Sequence, residues 1–156
     1  VDVRAQRAGA APGVIAIDTN LLVYAHREGL PEHRAARRAI EEAANRSRGW
    51  GIPLPCLAEL WSVVTHPAAA LRPSRPEEVR DFLAALAEAG AIVLLPGSSF
   101  GERLLRLAQD LGVVGNGIFD LQIGLTALDA GATEIWTHDR RCKGIPGLPA
   151  FDPLDA

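Results

Sequence analysis

An acidic, a hydroxyl and an amide side chain follow one another at Asp18, Thr19 and Asn20, directly after the apolar run 14–17. Four apolar, mostly β-branched residues in a row predict a strand that is buried on both faces, as in parallel sheets. Parallel sheets bind their ligands at the carboxyl ends of the strands, so Asp18 is a candidate site residue. Asp18 or Asn20 could equally cap a following helix, because both residue types are good N-caps.

Three further acids occupy comparable positions later in the chain. Asp139 follows a second predicted strand over residues 134–137, whereas Glu59 and Asp120 fall early in predicted helices. The carboxyl ends of parallel strands with right-handed crossovers meet at one edge of the sheet, so all four acids can converge there. Glu59 lies off the apolar stripe of its own helix, which leaves a purely solvent-exposed role open for it.

Four carboxylates at one place require a counter-charge. Crowded carboxylates raise one another's pKa values unless a divalent cation keeps them ionised. Oxygen ligands without histidine or cysteine favour Mg²⁺ or Mn²⁺ over zinc. Such a site suits phosphoryl chemistry, in which metal ions hold a phosphodiester and orient a water for in-line attack.

The elements that must position these acids alternate along the chain as strands and helices. Apolar runs predict strands over residues 14–17, 50–54, 91–95 and 134–137, with a last short strand in the tail. Helices are predicted over residues 21–27, 32–48, 55–66, 75–89, 99–111 and 117–130. This alternation predicts a three-layer α/β domain with a mostly parallel sheet, in which 91–95 is the clearest second buried strand.

Packing and sheet position are predicted for two further features. In the helix that Pro55 begins, Leu57, Leu60, Trp61 and Val64 are spaced as one buried stripe. Pro53 favours a sheet margin or a strand end for the strand over residues 50–54, because proline cannot donate to a strand ladder.

Length and composition limit the classes of protein. The 156 residues, 48% of them hydrophobic, fit one domain, with residues 1–13 predicted as a flexible N-terminal extension and 14–156 as the domain. A formal net charge of −3 excludes the broadly basic surface of a nonspecific nucleic-acid coat. Cys56 and Cys142 lack metal-site or disulfide spacing, and no run approaches the ~20 apolar residues of a membrane span. We therefore expect a cytoplasmic protein without a membrane association.

Four segments resemble the successive motifs of PIN-domain ribonucleases, in particular the VapC-type toxins. They are Ile15-Ala16-Ile17-Asp18-Thr19-Asn20, Leu57-Ala58-Glu59-Leu60, Phe119-Asp120 with its following helix of small residues, and Gly131-Ala132-Thr133 through Thr137-His138-Asp139. The resemblance covers residues 14–154. It implies a three-layer α/β/α fold and a Mg²⁺- or Mn²⁺-dependent endoribonuclease that hydrolyses RNA phosphodiester bonds.

The same resemblance implies roles for individual residues and partners. Four acids would bind the metal and carry the catalysis: Asp18, Glu59, Asp120 and Asp139. Asn20 and Thr137 would hold the geometry of these acids. The family is commonly dimeric and neutralised by a cognate antitoxin whose C-terminal peptide covers the site. We therefore expect an RNA substrate, an antitoxin and a second copy of the chain as partners.

Three basic residues, Arg140, Arg141 and Lys143, follow the last of these acids. We predict that they hold RNA phosphates while the metal ions act on the reacting phosphodiester. Exposed arginines with no such role are the alternative.

Two other functions remain open from the residues. An α/β domain of this fold could serve as an inactive binding or regulatory module, with its acids as surface and cap residues. A phosphatase of the haloacid-dehalogenase type also places a nucleophilic aspartate at the end of its first strand. Such enzymes use a second aspartate two positions later, where this chain has Asn20.

Overall fold

The computed structural model describes residues 13–46, 48–142 and 144–155, and a parallel sheet forms the centre of this part. Its strands are β1 (Val14–Ile17), β2 (Trp50–Pro53), β3 (Ala91–Leu94), β4 (Ala132–Trp136) and β5 (Ala150–Phe151). They lie in the order β3-β2-β1-β4-β5, and every neighbouring pair is parallel. The predicted N-terminal extension lies outside the described residues except for Gly13.

Six helices in the described residues complete a three-layer α/β/α arrangement, as predicted. They are α1 (Thr19–His26), α2 (His33–Ala44), α3 (Leu54–Thr65), α4 (Pro76–Glu88), α5 (Phe100–Leu111) and α6 (Gly117–Asp129). Within the described ranges, no helix has both the length and the apolar character needed to cross a membrane.

Strand β1 is the middle strand of the sheet, and three of its four residues are buried. Ile15, Ala16 and Ile17 are at most 2% exposed, which confirms the strand that their apolar run predicts. The chain leaves β1 towards β2 and β3 on one side and returns to β4 on the other. This reversal of strand order opens a crevice at the carboxyl end of β1, the usual ligand position in such sheets.

Strand β3 corrects the prediction of a second buried strand. It forms an edge of the sheet, and Ile92 and Val93 are 55% and 46% exposed. An apolar run favours a strand but does not tell whether both of its sides are covered.

Strand β2 and helix α3 agree with the sequence predictions only in part. Pro53 is the last residue of β2, as a strand end requires, but β2 lies between two strands and not at the sheet margin. The prediction that Trp61 belongs to the buried stripe is wrong, because Trp61 is 41% exposed, whereas Leu60 and Val64 are buried. Cys56 completes the buried face of α3, four residues before Leu60.

Candidate active site

Asp18 combines the two roles that its position allows. It is the N-cap of α1, and its Oδ1 accepts a hydrogen bond of 2.7 Å from the backbone N–H of Thr19. Its Oδ2 accepts a hydrogen bond of 2.8 Å from the hydroxyl of Thr137. Burial raises the pKa of the Asp18 carboxyl, and the charges of Glu59 and Asp120 raise it further, while the two hydrogen bonds oppose this shift.

The buried hydroxyl of Thr137 connects the ends of β1 and β4. Besides donating to Asp18, it accepts hydrogen bonds from the Nδ2 of Asn20 at 2.9 Å and from the backbone N–H of Asp139 at 3.1 Å. Asn20 also donates to the Oδ2 of Asp18 at 3.2 Å and accepts from the backbone N–H of His138 at 2.9 Å. These bonds hold the Asp18 carboxylate and orient the chain around Asp139.

Glu59 faces the site and not bulk solvent. It lies in α3, which begins directly after β2, and its Oε2 accepts a hydrogen bond of 2.6 Å from the hydroxyl of Thr19. The off-stripe position in α3 therefore turns the side chain towards the amino end of α1. This contact argues against a Glu59 that serves only as a surface residue.

The remaining two acids approach from the other side of β1. Asp120 is exposed in the first turn of α6, where the helix dipole favours a negative charge. Asp139 follows β4, and its carboxylate accepts hydrogen bonds from the backbone N–H and the guanidinium of Arg141 at 2.9 and 3.2 Å. The guanidinium and backbone bonds of Arg141 lower the pKa of Asp139.

All four predicted acids line one groove of about 310 Å³. Its walls are formed by Asp18, Thr19, Asn20, Val23, Tyr24, Glu59, Val63, Asp120 and Asp139. No three of these four acids bring carboxylate oxygens to within 4.8 Å of one another. Within the described residues, the side chains of His138, Asp152 and Asp155 do lie that close together. The four carboxylates supply hard oxygen atoms, the ligand type that Mg²⁺ and Mn²⁺ prefer in proteins.

The predicted basic residues have acidic neighbours. Besides the contact between Arg141 and Asp139, the guanidinium of Arg140 lies 3.2 Å from a carboxylate oxygen of Asp155. Both arginines are exposed. Lys143, the third member of the predicted group, lies outside the described residues.

Several groove residues were not predicted from the sequence. Tyr24 lines the groove from α1, four residues after Asn20 and therefore on the same side of that helix. This helical spacing is the sequence pattern from which the position of Tyr24 could be predicted. No sequence pattern indicates the hydrogen bond between Thr19 and Glu59, because the two residues are 40 positions apart. Asp152 was also missed, although its carboxylate lies 2.8 Å from the Nδ1 of His138.

Comparison with known proteins agrees with this fold. The PIN domain family matches residues 15–148. The chain is 35% identical to the VapC ribonuclease Mb2897 of Mycobacterium bovis over 143 residues, which cover 91% of this chain and 97% of the relative. Ribonuclease VapC24 of Mycobacterium tuberculosis is 27% identical over 126 residues, with 81% and 86% covered. The chain therefore belongs to the PIN domain family and, within it, to the VapC ribonucleases.

Two solved structures share the fold. The structure of VapBC2 from Rickettsia felis, bound to a DNA fragment from its promoter, matches with a TM-score of 0.63 and 21% identity, covering 89% of this chain and 98% of that one. VapC20 of Mycobacterium tuberculosis, described as a toxin that cleaves the sarcin-ricin loop, matches with a TM-score of 0.60 and 14% identity. That match covers 84% of this chain and 95% of VapC20.

Proposed function

We propose that this chain is a Mg²⁺- or Mn²⁺-dependent endoribonuclease and the toxin of a toxin–antitoxin pair. The observation that carries the proposal is the groove at the carboxyl end of β1, which four carboxylates from four different elements line together. Membership of the VapC ribonucleases supports RNA as the substrate. It also leaves the haloacid-dehalogenase type of phosphatase without support.

Asp18, Glu59, Asp120 and Asp139 would hold the metal. When bound, a divalent ion would polarise the phosphodiester as a Lewis acid and lower the pKa of a water, so that hydroxide is available as the nucleophile at neutral pH. Burial raises the pKa of Asp18, and a nearby positive charge would favour the ionised form of this carboxyl.

Asn20 and Thr137 would act as positioning residues for Asp18. They donate to the same carboxylate oxygen, Oδ2, at 3.2 and 2.8 Å. With this oxygen held by two donors and Oδ1 by the Thr19 N–H, the carboxylate has little freedom to rotate. A fixed ligand orientation favours one metal geometry over others.

Arg140, Arg141 and Lys143 would bind the phosphates of the RNA. The two arginines are exposed beside the groove, and their acidic neighbours Asp155 and Asp139 are partners from which they can exchange to a phosphate. A guanidinium fits a phosphate through two parallel hydrogen bonds, so for Arg141, which contacts both carboxylate oxygens of Asp139, this exchange would retain the bidentate geometry.

The partners follow from the relatives. The solved VapBC2 structure pairs a chain of this fold with VapB on promoter DNA, which supports a cognate antitoxin for this chain as well. A homodimer and a cytoplasmic location complete the proposal. The free thiols of Cys56 and Cys142 are compatible with a reducing compartment.

Metal-dependent cleavage of RNA tests the proposed function. The purified chain is incubated with a mixed pool of cellular RNA in the presence of Mg²⁺, Mn²⁺, Ca²⁺ or EDTA, and the new RNA ends are mapped by sequencing. We expect discrete cuts with Mg²⁺ or Mn²⁺ and none with EDTA. Cuts that persist in EDTA would contradict the metal dependence, and an uncut pool would favour the inactive binding module.

A further inference from the structure

A second cavity of about 220 Å³ adjoins the carboxylate groove. We call it the side pocket. It lies between α6 and the segment that follows β4, and it shares Asp18 and Asp120 with the groove. Any ligand that enters it is therefore next to the proposed metal site.

The interior of the side pocket is apolar. Its floor is formed by buried aliphatic side chains, among them Leu121, Ile135 and Leu148, which are at most 3% exposed. Among the described lining residues, the charged ones are Asp18 and Asp120, which the pocket shares with the groove, and the exposed Arg141. The pocket is thus apolar at depth and polar where it meets the groove.

The absence of a side chain at Gly124 helps to keep this pocket open. Gly124 lies on α6, and a Cβ atom there would be 3.4 Å from the side chain of Ile145, across the pocket. Glycine inside a helix is less favourable than alanine. An alanine would therefore favour the helix while narrowing the pocket.

We propose that the side pocket receives one unstacked nucleobase of the RNA, adjacent to the phosphodiester held in the groove. This inference rests on the proposed ribonuclease function. At about 220 Å³ the pocket is below the ~300–1,000 Å³ range of sites for drug-sized ligands, and a single planar ring system suits it. Proteins that recognise single-stranded RNA commonly bind bases that are splayed out of the stack.

The arrangement of polar and apolar groups matches a nucleotide better than an apolar side chain of a protein. A nucleotide has a flat ring with weakly hydrated faces and a charged phosphate, joined by one sugar. The apolar floor would cover the ring, while Arg141 and the metal site at Asp18 and Asp120 lie where the sugar and phosphate would be. An apolar protein side chain would fill the floor but would carry no phosphate to place beside these charged groups.

Binding of small nucleotides tests the pocket without requiring catalysis. Isothermal titration calorimetry in Mg²⁺ compares AMP, GMP, CMP and UMP with ribose 5-phosphate, which lacks the base. We expect at least one nucleotide to bind the wild-type chain about tenfold or more tightly than ribose 5-phosphate. Gly124→Ala and Val113→Trp, which narrow the pocket from α6 and from the preceding loop, should reduce this preference to below about threefold.

A matched control separates pocket filling from general effects of the substitution. Gly101→Ala also adds a methyl group to a helical glycine, but in α5, where the new Cβ has no atom within 4 Å apart from those of its chain neighbours and the adjacent helix backbone. We expect this variant to keep the wild-type nucleotide preference. All variants should keep wild-type affinity for ribose 5-phosphate, and circular dichroism melting verifies that they fold.

Each outcome decides the proposal. The proposal that the side pocket binds a base would be contradicted if no nucleotide binds more tightly than ribose 5-phosphate. It would also be contradicted if both narrowing variants retain the wild-type preference for a nucleotide over ribose 5-phosphate. Such a result together with Mn²⁺-dependent RNA cleavage would leave the ribonuclease proposal intact. A clear nucleotide preference in a chain that cuts no RNA would support the pocket and contradict the ribonuclease.

Discussion

Replacing Thr137 by valine should destabilise the protein by about 2–3 kcal/mol in the absence of metal. Thr137 is 2% exposed, and its hydroxyl makes three hydrogen bonds, to Asp18, Asn20 and the backbone N–H of Asp139. Valine has nearly the same shape, so the change removes these bonds without leaving a cavity. Each buried hydrogen bond contributes about 0.5–1.5 kcal/mol net, and Asn20 retains its bond to Asp18.

The assay is urea denaturation at pH 7 in EDTA, followed by circular dichroism. For a domain of this size, 2–3 kcal/mol corresponds to a fall in Tm of roughly 5–10 °C. Thr126→Val is the matched control, because Thr126 is also buried but its hydroxyl donates only to the carbonyl of Gln122, four residues earlier in α6. We expect the control to lose less than about 1 kcal/mol.

The same substitution should weaken metal binding. The hydrogen bond from Thr137 lowers the pKa of Asp18, so its loss raises that pKa further and disfavours the ionised form. Loss of a residue that orients a metal ligand typically costs about 10- to 100-fold in metal affinity. Calorimetry with Mn²⁺ measures this effect. Equal stability losses in Thr137→Val and Thr126→Val, with unchanged Mn²⁺ affinity in both, would refute the reasoning.

Three further predictions concern the metal, the basic residues and an ion pair away from the groove. Mg²⁺ at about 100 times the wild-type Kd should raise the unfolding free energy of the wild type by about 2.7 kcal/mol in calorimetric melts. At the same Mg²⁺ concentration, Glu59→Gln should show a smaller gain in unfolding free energy, and an equal gain would contradict a ligand role for Glu59. Replacing Arg140 and Arg141 by alanine should weaken RNA binding. It should also reduce the slope of the logarithm of the RNA binding constant against the logarithm of salt concentration by about one or two, and an unchanged slope would exclude phosphate contacts by these arginines. Asp129→Asn should cost about 1 kcal/mol at pH 7, because it breaks a 2.8 Å bond with the partly exposed Arg103. The guanidinium of Arg103 lowers the pKa of Asp129, so this stability is present above the ordinary aspartate value of 3.8 and is lost as pH falls below it. The Tm difference between wild type and Asp129→Asn should therefore shrink in acid, and a constant difference down to pH 2 would contradict this origin.

The centre of the fold and the positions of the acids were predictable because they depend on local patterns. The apolar run 14–17 predicts a buried strand, and its place in the middle of the sheet accounts for the burial of Ile17. An acid after a strand, as at Asp18 and Asp139, can be located from one segment alone. The convergence of all four acids then follows from the geometry of parallel sheets.

Features that depend on distant partners were not predictable in the same way. The exposure of Ile92 results from the lack of a strand beyond β3, which the run 91–95 itself does not encode. The orientation of Glu59 depends on Thr19, which lies 40 positions away in the sequence. In each case the outcome is determined by a tertiary contact and not by residue spacing.

The most direct test of the account is the single-turnover rate of RNA cleavage at a mapped cut site in Mn²⁺, measured for Asp18→Asn and Asp120→Asn. Asp81→Asn in α4 is the control, since this exposed carboxylate does not line the groove. We predict that the two groove variants lose at least about 100-fold in rate, while all three variants remain folded and the control cleaves like the wild type. Wild-type rates in both groove variants would contradict the assignment of the groove as the catalytic site.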